Sequence, residues 1–148
     1  MARILVIDDD EFFVKLMVDT LQQAGHEVEF AYDGEAGERA FDASTFDAVV
    51  CDMVMPQQEG LETIRYMRLT NPNVAVVAIS AGLERESGID ILNMAQNLGA
   101  HVTLRKPFRL SQLTAAVNQA QAQARAQVHA PSCEPTSKLV PAKSSAGA

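Results

Sequence analysis

The stretch Ile4-Leu5-Val6-Ile7-Asp8-Asp9-Asp10 decides how the rest of the chain is read. Four consecutive apolar residues, too few for a helix and not alternating, suit a strand covered on both faces by helices. The same plan recurs where Ala48-Val49-Val50-Cys51 ends in Asp52. Two further runs carry other polar ends: Val74-Ala75-Val76-Val77-Ala78-Ile79 leads into Ser80, and the segment around Val102–Leu104 leads into Lys106. Ligands of parallel α/β sheets bind at the carboxyl ends of the strands. Three acids, a hydroxyl and an amine are therefore expected to converge on one crevice.

Helical patterns lie between these runs. Phe12, Phe13, Leu16, Met17, Thr20 and Leu21 recur at helical spacing, with Asp10 as the expected cap and Ala24-Gly25 as the close. Val28 and Phe30, alternating with Glu27 and Glu29, predict a second strand with one apolar face, near a sheet edge. Asp33-Gly34 turns into a short helix with Ala36, Ala40 and Phe41 as its stripe, and Phe46 to Cys51 is the third strand. Residues from Met53 to Gly60 read as a loop containing Pro56. Leu61, Ile64, Met67 and Arg68 trace a third helix that stops at Asn71-Pro72. After Ser80 a polar loop runs to about Gly88, and Ile89, Leu92, Met94, Ala95 and Leu98 mark a fourth helix ending at Gly99. His101 to Arg105 is the fifth strand, and Leu110, Leu113, Ala116, Val117 and Ala120 make the last helix. Five strand–helix units imply right-handed crossovers and a three-layer α/β/α architecture around one doubly wound parallel sheet.

The chain's 148 residues, 47% of them hydrophobic, suffice for one domain with a core. From residue 125 the composition turns to Ala, Pro, Ser and Gln, too little apolar bulk to offset its ordering entropy. The expected division is a folded domain over 1–124 and a disordered tail over 125–148. A net charge of -7 argues against a surface that grips nucleic acid by bulk attraction, and no helix-turn-helix or zinc-finger spacing occurs. Cys51 and Cys133 form no framework, and the four-residue apolar run near the start is too short for a signal peptide or membrane span. A cytoplasmic protein without a membrane partner is expected.

Asp8, Asp9 and Asp52 brought together would repel one another unless a hard cation neutralised them, and magnesium prefers such oxygens and commonly sits beside phosphate. A carboxylate in that setting can attack phosphorus to give an aspartyl phosphate. Phosphoryl transfer needs charge neutralisation and alignment more than covalent help, so Lys106 and the Ser80 hydroxyl complete the set. Blander readings stand beside these. Asp10 is better read as a helix cap, Ser80 could simply end a strand, and Lys106 could extend its stem along the surface. His26 and His101, at strand starts, read as exposed turn residues. Arg105 should face away from Lys106 by strand alternation.

The stretches Ile4–Asp10, Val50-Cys51-Asp52-Met53-Val54-Met55-Pro56 with Gly60, Ile79-Ser80-Ala81 and Lys106-Pro107-Phe108 together resemble the receiver domain of two-component response regulators. The resemblance spans Met1 to about Gln121 and implies a flavodoxin-like fold. It implies that Asp52 accepts phosphate from a histidine kinase or histidine phosphotransfer protein, that Asp9 binds Mg2+ directly and Asp8 largely through water, and that the Val54 backbone carbonyl adds a ligand. Lys106 would bridge to the phosphoryl group, Ser80 would move toward it, and the Lys106-Pro107 peptide would be cis. The expected function is a phosphorylation-controlled module that acts by docking, without a fused output domain and without turnover as an enzyme. The alternative is a phosphate relay or sink exchanging the group with a histidine phosphotransfer protein. A hydrolase is disfavoured by Val54, which stands where a second acid would be needed. A flavin-type binder is disfavoured because the first strand–helix turn carries acids rather than a phosphate-cradling loop.

Three positions depart from the receiver pattern. Thr103 stands three residues before Lys106, where a Tyr or Phe is usual, so a switch that buries a ring there is not expected. Ser80 and Lys106 are 26 positions apart, a few more than is common, and the surplus falls in Gly82 to Asp90. Val54 and Gly82 offer no side chain to orient a hydrolytic water, so the aspartyl phosphate is expected not to hydrolyse unusually fast.

Overall fold

In the computed structural model, which describes residues 2–53, 60–80 and 91–129, the apolar runs become the middle of a sheet. The described residues form β1 (Arg3–Ile7), α1 (Glu11–Gln23), β2 (Glu27–Ala31), α2 (Gly34–Ala43), β3 (Ala48–Asp52), α3 (Gly60–Thr70), β4 (Ala75–Ser80), α4 (Ile91–Leu98), β5 (Val102–Arg105) and α5 (Leu110–His129). All strand pairs are parallel, in the order β2-β1-β3-β4-β5. β3 and β4 are buried throughout and β1 nearly so, whereas the outer strands β2 and β5 are only partly covered.

Alternation along the strands divides the core in two. Leu5, Ile7, Val49, Cys51, Val76 and Ala78 pack under Phe41, Ile64, Met67 and Ala95 of α2, α3 and α4. Ile4, Val6, Val50, Val77 and Ile79 pack under Met17, Leu21, Leu113 and Val117 of α1 and α5. The sheet is thus doubly wound, as the pattern of the sequence predicts.

Several local expectations are corrected. In α1 the buried residues are Val14, Met17 and Leu21, while Phe12 is 73% exposed and Leu16 also reaches solvent. Phe12 lies about 200° around the helix from Val14, so its size does not bring it inward. Phe30 is half exposed because β2 is an edge strand, and its ring packs 5.3 Å from that of Tyr32 instead. His101 is buried, its Nδ1 accepting the Val76 N–H at 3.1 Å, and His26 Nδ1 accepts the Ala2 N–H at 3.0 Å. These histidines are strand-end acceptors rather than exposed turn residues. α5 continues to His129, so residues 125–129, expected to open the tail, are helical. β3 starts at Ala48 rather than Phe46. Val54, most of the loop before Gly60, the whole loop from Ala81 to Asp90 and the tail from residue 130 lie outside the described residues.

Other expectations hold. Asp10 caps α1, its Oδ1 accepting the Phe13 N–H at 3.1 Å. Gly25 closes the helix at φ 95°, a dihedral open to glycine at little cost. The Lys106-Pro107 peptide is cis. No helix among the described residues is long and apolar enough to cross a membrane.

Candidate functional site

The strand order places the ends of β1 and β3 side by side where the direction of chain progression across the sheet reverses, the position at which open α/β sheets bind ligands. Asp8 follows β1 and Asp52 closes β3, both buried, while Asp9 is exposed. One carboxylate oxygen from each of the three acids lies within 4.8 Å of the others. At that separation each pair of charges repels by about 3 kcal/mol for an effective dielectric constant of about 20.

Lys106 supplies the compensating charge from the far side of the sheet. It follows the edge strand β5, yet its Nζ lies 3.1 Å from Asp8 Oδ2 and 3.8 Å from Asp52 Oδ2. The long stem therefore reaches past the ends of β4 and β3. Its backbone is fixed where it starts, the Lys106 N–H donating to the Ser80 carbonyl at 2.7 Å. On the next strand pair, the Met53 N–H donates to the Ile79 carbonyl at 2.7 Å. Gly60 opens α3 directly against this floor. A Cβ there would collide with the Asp52 carbonyl oxygen and the Met53 Cα, so only glycine lets the helix approach so closely.

The electrostatics are unbalanced. Asp8 Oδ1 accepts the Asp10 N–H at 2.9 Å and Oδ2 accepts from Lys106, but burial outweighs both and holds the Asp8 carboxyl above its ordinary range, with Asp9 adding to the rise. Burial, reinforced by Asp52 and Asp8, likewise pushes up the Cys51 thiol, which makes it an inert apolar filler. Among the described residues, one ammonium faces three carboxylates. A surplus of negative charge carried by carboxylate oxygens is the donor set of a hard divalent cation and fits Mg2+. Among the described residues, Lys106 is the side-chain cation placed to meet an oxygen-rich anion entering the crevice.

The structure thus brings Asp8, Asp9, Asp52 and Lys106 together and sets Ser80, fully buried, at the end of the adjacent β4. The Val54 carbonyl, the remaining expected ligand, lies outside the described residues. A neighbour that sequence reasoning missed is Phe13, whose ring centroid is 4.6 Å from Lys106 Nζ and 5.6 Å from the ring of Phe108. The available signal is an aromatic residue one turn after Asp9, which its helical spacing alone does not set apart from the other apolar residues of α1.

The pattern of the response regulator receiver domain matches residues 4–118. The chain belongs to that family. This receiver domain is 34% identical over 112 residues to the transcriptional regulatory protein RprY of Bacteroides fragilis, covering 76% of this chain and 46% of that one. It is 35% identical over 117 residues to the response regulator MprA of Mycolicibacterium vanbaalenii, covering 77% of this chain and 48% of that one. The chain spans about half the length of these curated relatives. Among solved structures, a receiver domain from Clostridium thermocellum superposes with a TM-score of 0.73 at 30% identity, covering 86% of this chain and 99% of that one. A CheY-like receiver domain from Methanospirillum hungatei, 21% identical, shares the fold with a TM-score of 0.77 over 86% of this chain and 98% of its own. The expectation that nucleic acid is no partner finds no support among relatives whose names include a transcriptional regulatory protein.

Proposed function

We propose that this receiver domain accepts a phosphoryl group on Asp52 from a phosphohistidine of a histidine kinase or phosphotransfer protein, and that the added charge governs its docking to another protein. The observation that carries the reading is the Asp52 carboxylate at the carboxyl edge of β3, with Lys106 Nζ 3.8 Å from its Oδ2 and two further carboxylates beside it. In the transfer, a carboxylate oxygen of Asp52 forms a bond to phosphorus while the phosphorus–nitrogen bond of the donor breaks, and the leaving imidazole nitrogen takes up a proton. Lys106 is placed to hold an equatorial phosphoryl oxygen, exchanging part of its pairing with Asp8 for the incoming charge. The Ser80 hydroxyl is the group to move toward another of those oxygens. Asp8, Asp9 and Asp52, with the Val54 carbonyl that the family resemblance implies, would hold Mg2+. When bound, that ion supplies neutralisation of charge on the phosphoryl oxygens.

Asp52 is itself the acceptor, so the chemistry modifies the protein rather than turning over a separate substrate. Output by docking belongs to the same proposal, supported by the position of the acidic crevice at the carboxyl edge of the sheet, where a phosphoryl group on Asp52 would change the charge presented there. The test is incubation of the protein and of Asp52→Asn with Mg2+ and acetyl phosphate or a phosphorylated kinase. Labelling of the wild type only, with both proteins equally folded by circular dichroism, is the expected result. Undiminished labelling of Asp52→Asn would sink the assignment. Ready return of the label to a histidine phosphotransfer protein would favour the relay reading over signalling output.

A further inference from the structure

The Lys106 ammonium has a neighbour that phosphoryl acceptance does not by itself require. Nζ stands 4.6 Å from the centroid of the Phe13 ring, inside the range in which a cation is drawn to the negative face of an aromatic ring. The ring is held in turn. Phe108 meets it at 5.6 Å with an interplanar angle of 68°, an edge-to-face geometry. Phe13 and Phe108 are both partly buried against the core beneath α1 and α5, and the Lys106 side chain is only 24% exposed. Residues 106 and 108 thus close on Phe13 from a single loop, one with charge and one with a ring.

A lysine stem has four flexible carbons and a point charge with no planar fork to orient it. Lys106 must nevertheless extend past two strand ends to reach Asp8. The carboxylates of Asp8 and Asp52 attract the ammonium from within the crevice, and an aromatic face on α1 also stands against it. We propose that Phe13 is a positioning residue for Lys106: its ring face holds the ammonium at the crevice, and Phe108 fixes the ring. The proposal rests on the reading of Lys106 as the partner of the phosphoryl group on Asp52. It also distinguishes Phe13 from an ordinary core residue, because packing depends on volume whereas attraction of a cation depends on ring electrostatics.

The test uses the full chain carrying Phe13, a graded series of fluorinated phenylalanines at position 13, Phe13→Trp and Phe13→Leu. Fluorination withdraws charge from the ring face with little change of size. Two quantities are read: the NMR shifts of the Lys106 ε-methylene without any phosphodonor, and the rate of labelling by acetyl phosphate with Mg2+. Upfield ring-current shifts of the ε-methylene are expected in the parent and lost in Phe13→Leu. The labelling rate should fall stepwise along the fluorinated series, by about fivefold at full fluorination, at unchanged melting temperature, and Phe13→Trp should retain it. A rate indifferent to fluorination would overturn the proposal and reduce Phe13 to packing, as would parent ε-methylene shifts equal to those of Phe13→Leu. Failure of the parent itself to label would sink the reading of Asp52 as acceptor. That outcome is separable, because the NMR arm still reports whether the ring holds the ammonium.

Discussion

The two ends of the same sheet treat polar groups in opposite ways. At the amino ends of the strands polar side chains complete backbone hydrogen bonds, half-buried His26 with Ala2, exposed Asp47 Oδ2 with the Arg3 N–H at 2.9 Å and buried His101 with Val76, while Arg3 pairs with Glu27 and Glu29. There, polar residues terminate strands by pairing with the backbone or with an opposite charge. At the carboxyl ends, Asp8, Asp9 and Asp52 are crowded within 4.8 Å with Lys106 as the cation the structure sets against them. Stability alone would not favour that crowding, since buried like charges each resist ionisation. The difference separates polar residues that finish a fold from polar residues kept for chemistry.

The contrast can be broken at either end. The largest effect is expected from Lys106→Met, which removes the cation but keeps much of the stem; labelling by acetyl phosphate should fall by about a hundredfold, with the fold intact by circular dichroism. At the other end, His101→Phe leaves the Val76 N–H without its acceptor and should destabilise the protein by about 1–3 kcal/mol in urea unfolding, with no direct effect on labelling. Asp8→Asn should do the reverse. In chelator it relieves crowding and raises stability in urea unfolding, yet it weakens Mg2+ binding measured by calorimetry.

The smallest effect is a difference in the sign of pH dependence between the two ends. Burial first of all raises the Asp8 pKa above 3.8, so in chelator its favourable contribution is full below that value and is lost as pH rises through the folded-state pKa. Burial lowers the His26 pKa below 6.5, so its contribution is full above that value and is lost as pH falls through the folded-state pKa. Melting temperatures of Asp8→Asn and His26→Gln across pH 4–8 should diverge from wild type in opposite directions. Parallel profiles would erase the distinction between the ends.

Much of this arrangement is legible in the sequence because β1, β3 and β4 are covered on both faces, which requires unbroken apolar runs and makes the polar residue at each end conspicuous. Asp8, Asp52 and Ser80 are each marked in that way, whereas Lys106 follows the partly covered edge strand β5 and is marked by its place before Pro107 in the receiver pattern. Legibility fails where cover is partial. Phe30 sits on an edge strand whose outward side has no helix to hide it, and Phe12 falls outside the arc that Val14, Met17 and Leu21 define. His101 is buried because its ring nitrogen, a feature no periodicity encodes, meets a backbone donor. Phe13 illustrates the same limit from the other direction. Its hydrophobicity predicts burial, whereas its contact with an ammonium depends on where a residue 93 positions later ends up.

The hydrogen bonds from Met53 to Ile79 and from Lys106 to Ser80 extend the sheet's ladder directly beneath the acidic crevice. A floor tied in this way acts as a mechanical ground, since bending it to absorb a new charge would cost hydrogen bonds of the ladder. The work done by an arriving phosphoryl group would then go into the side chains that line the crevice, which makes the strand ends the reference against which a switching motion is measured.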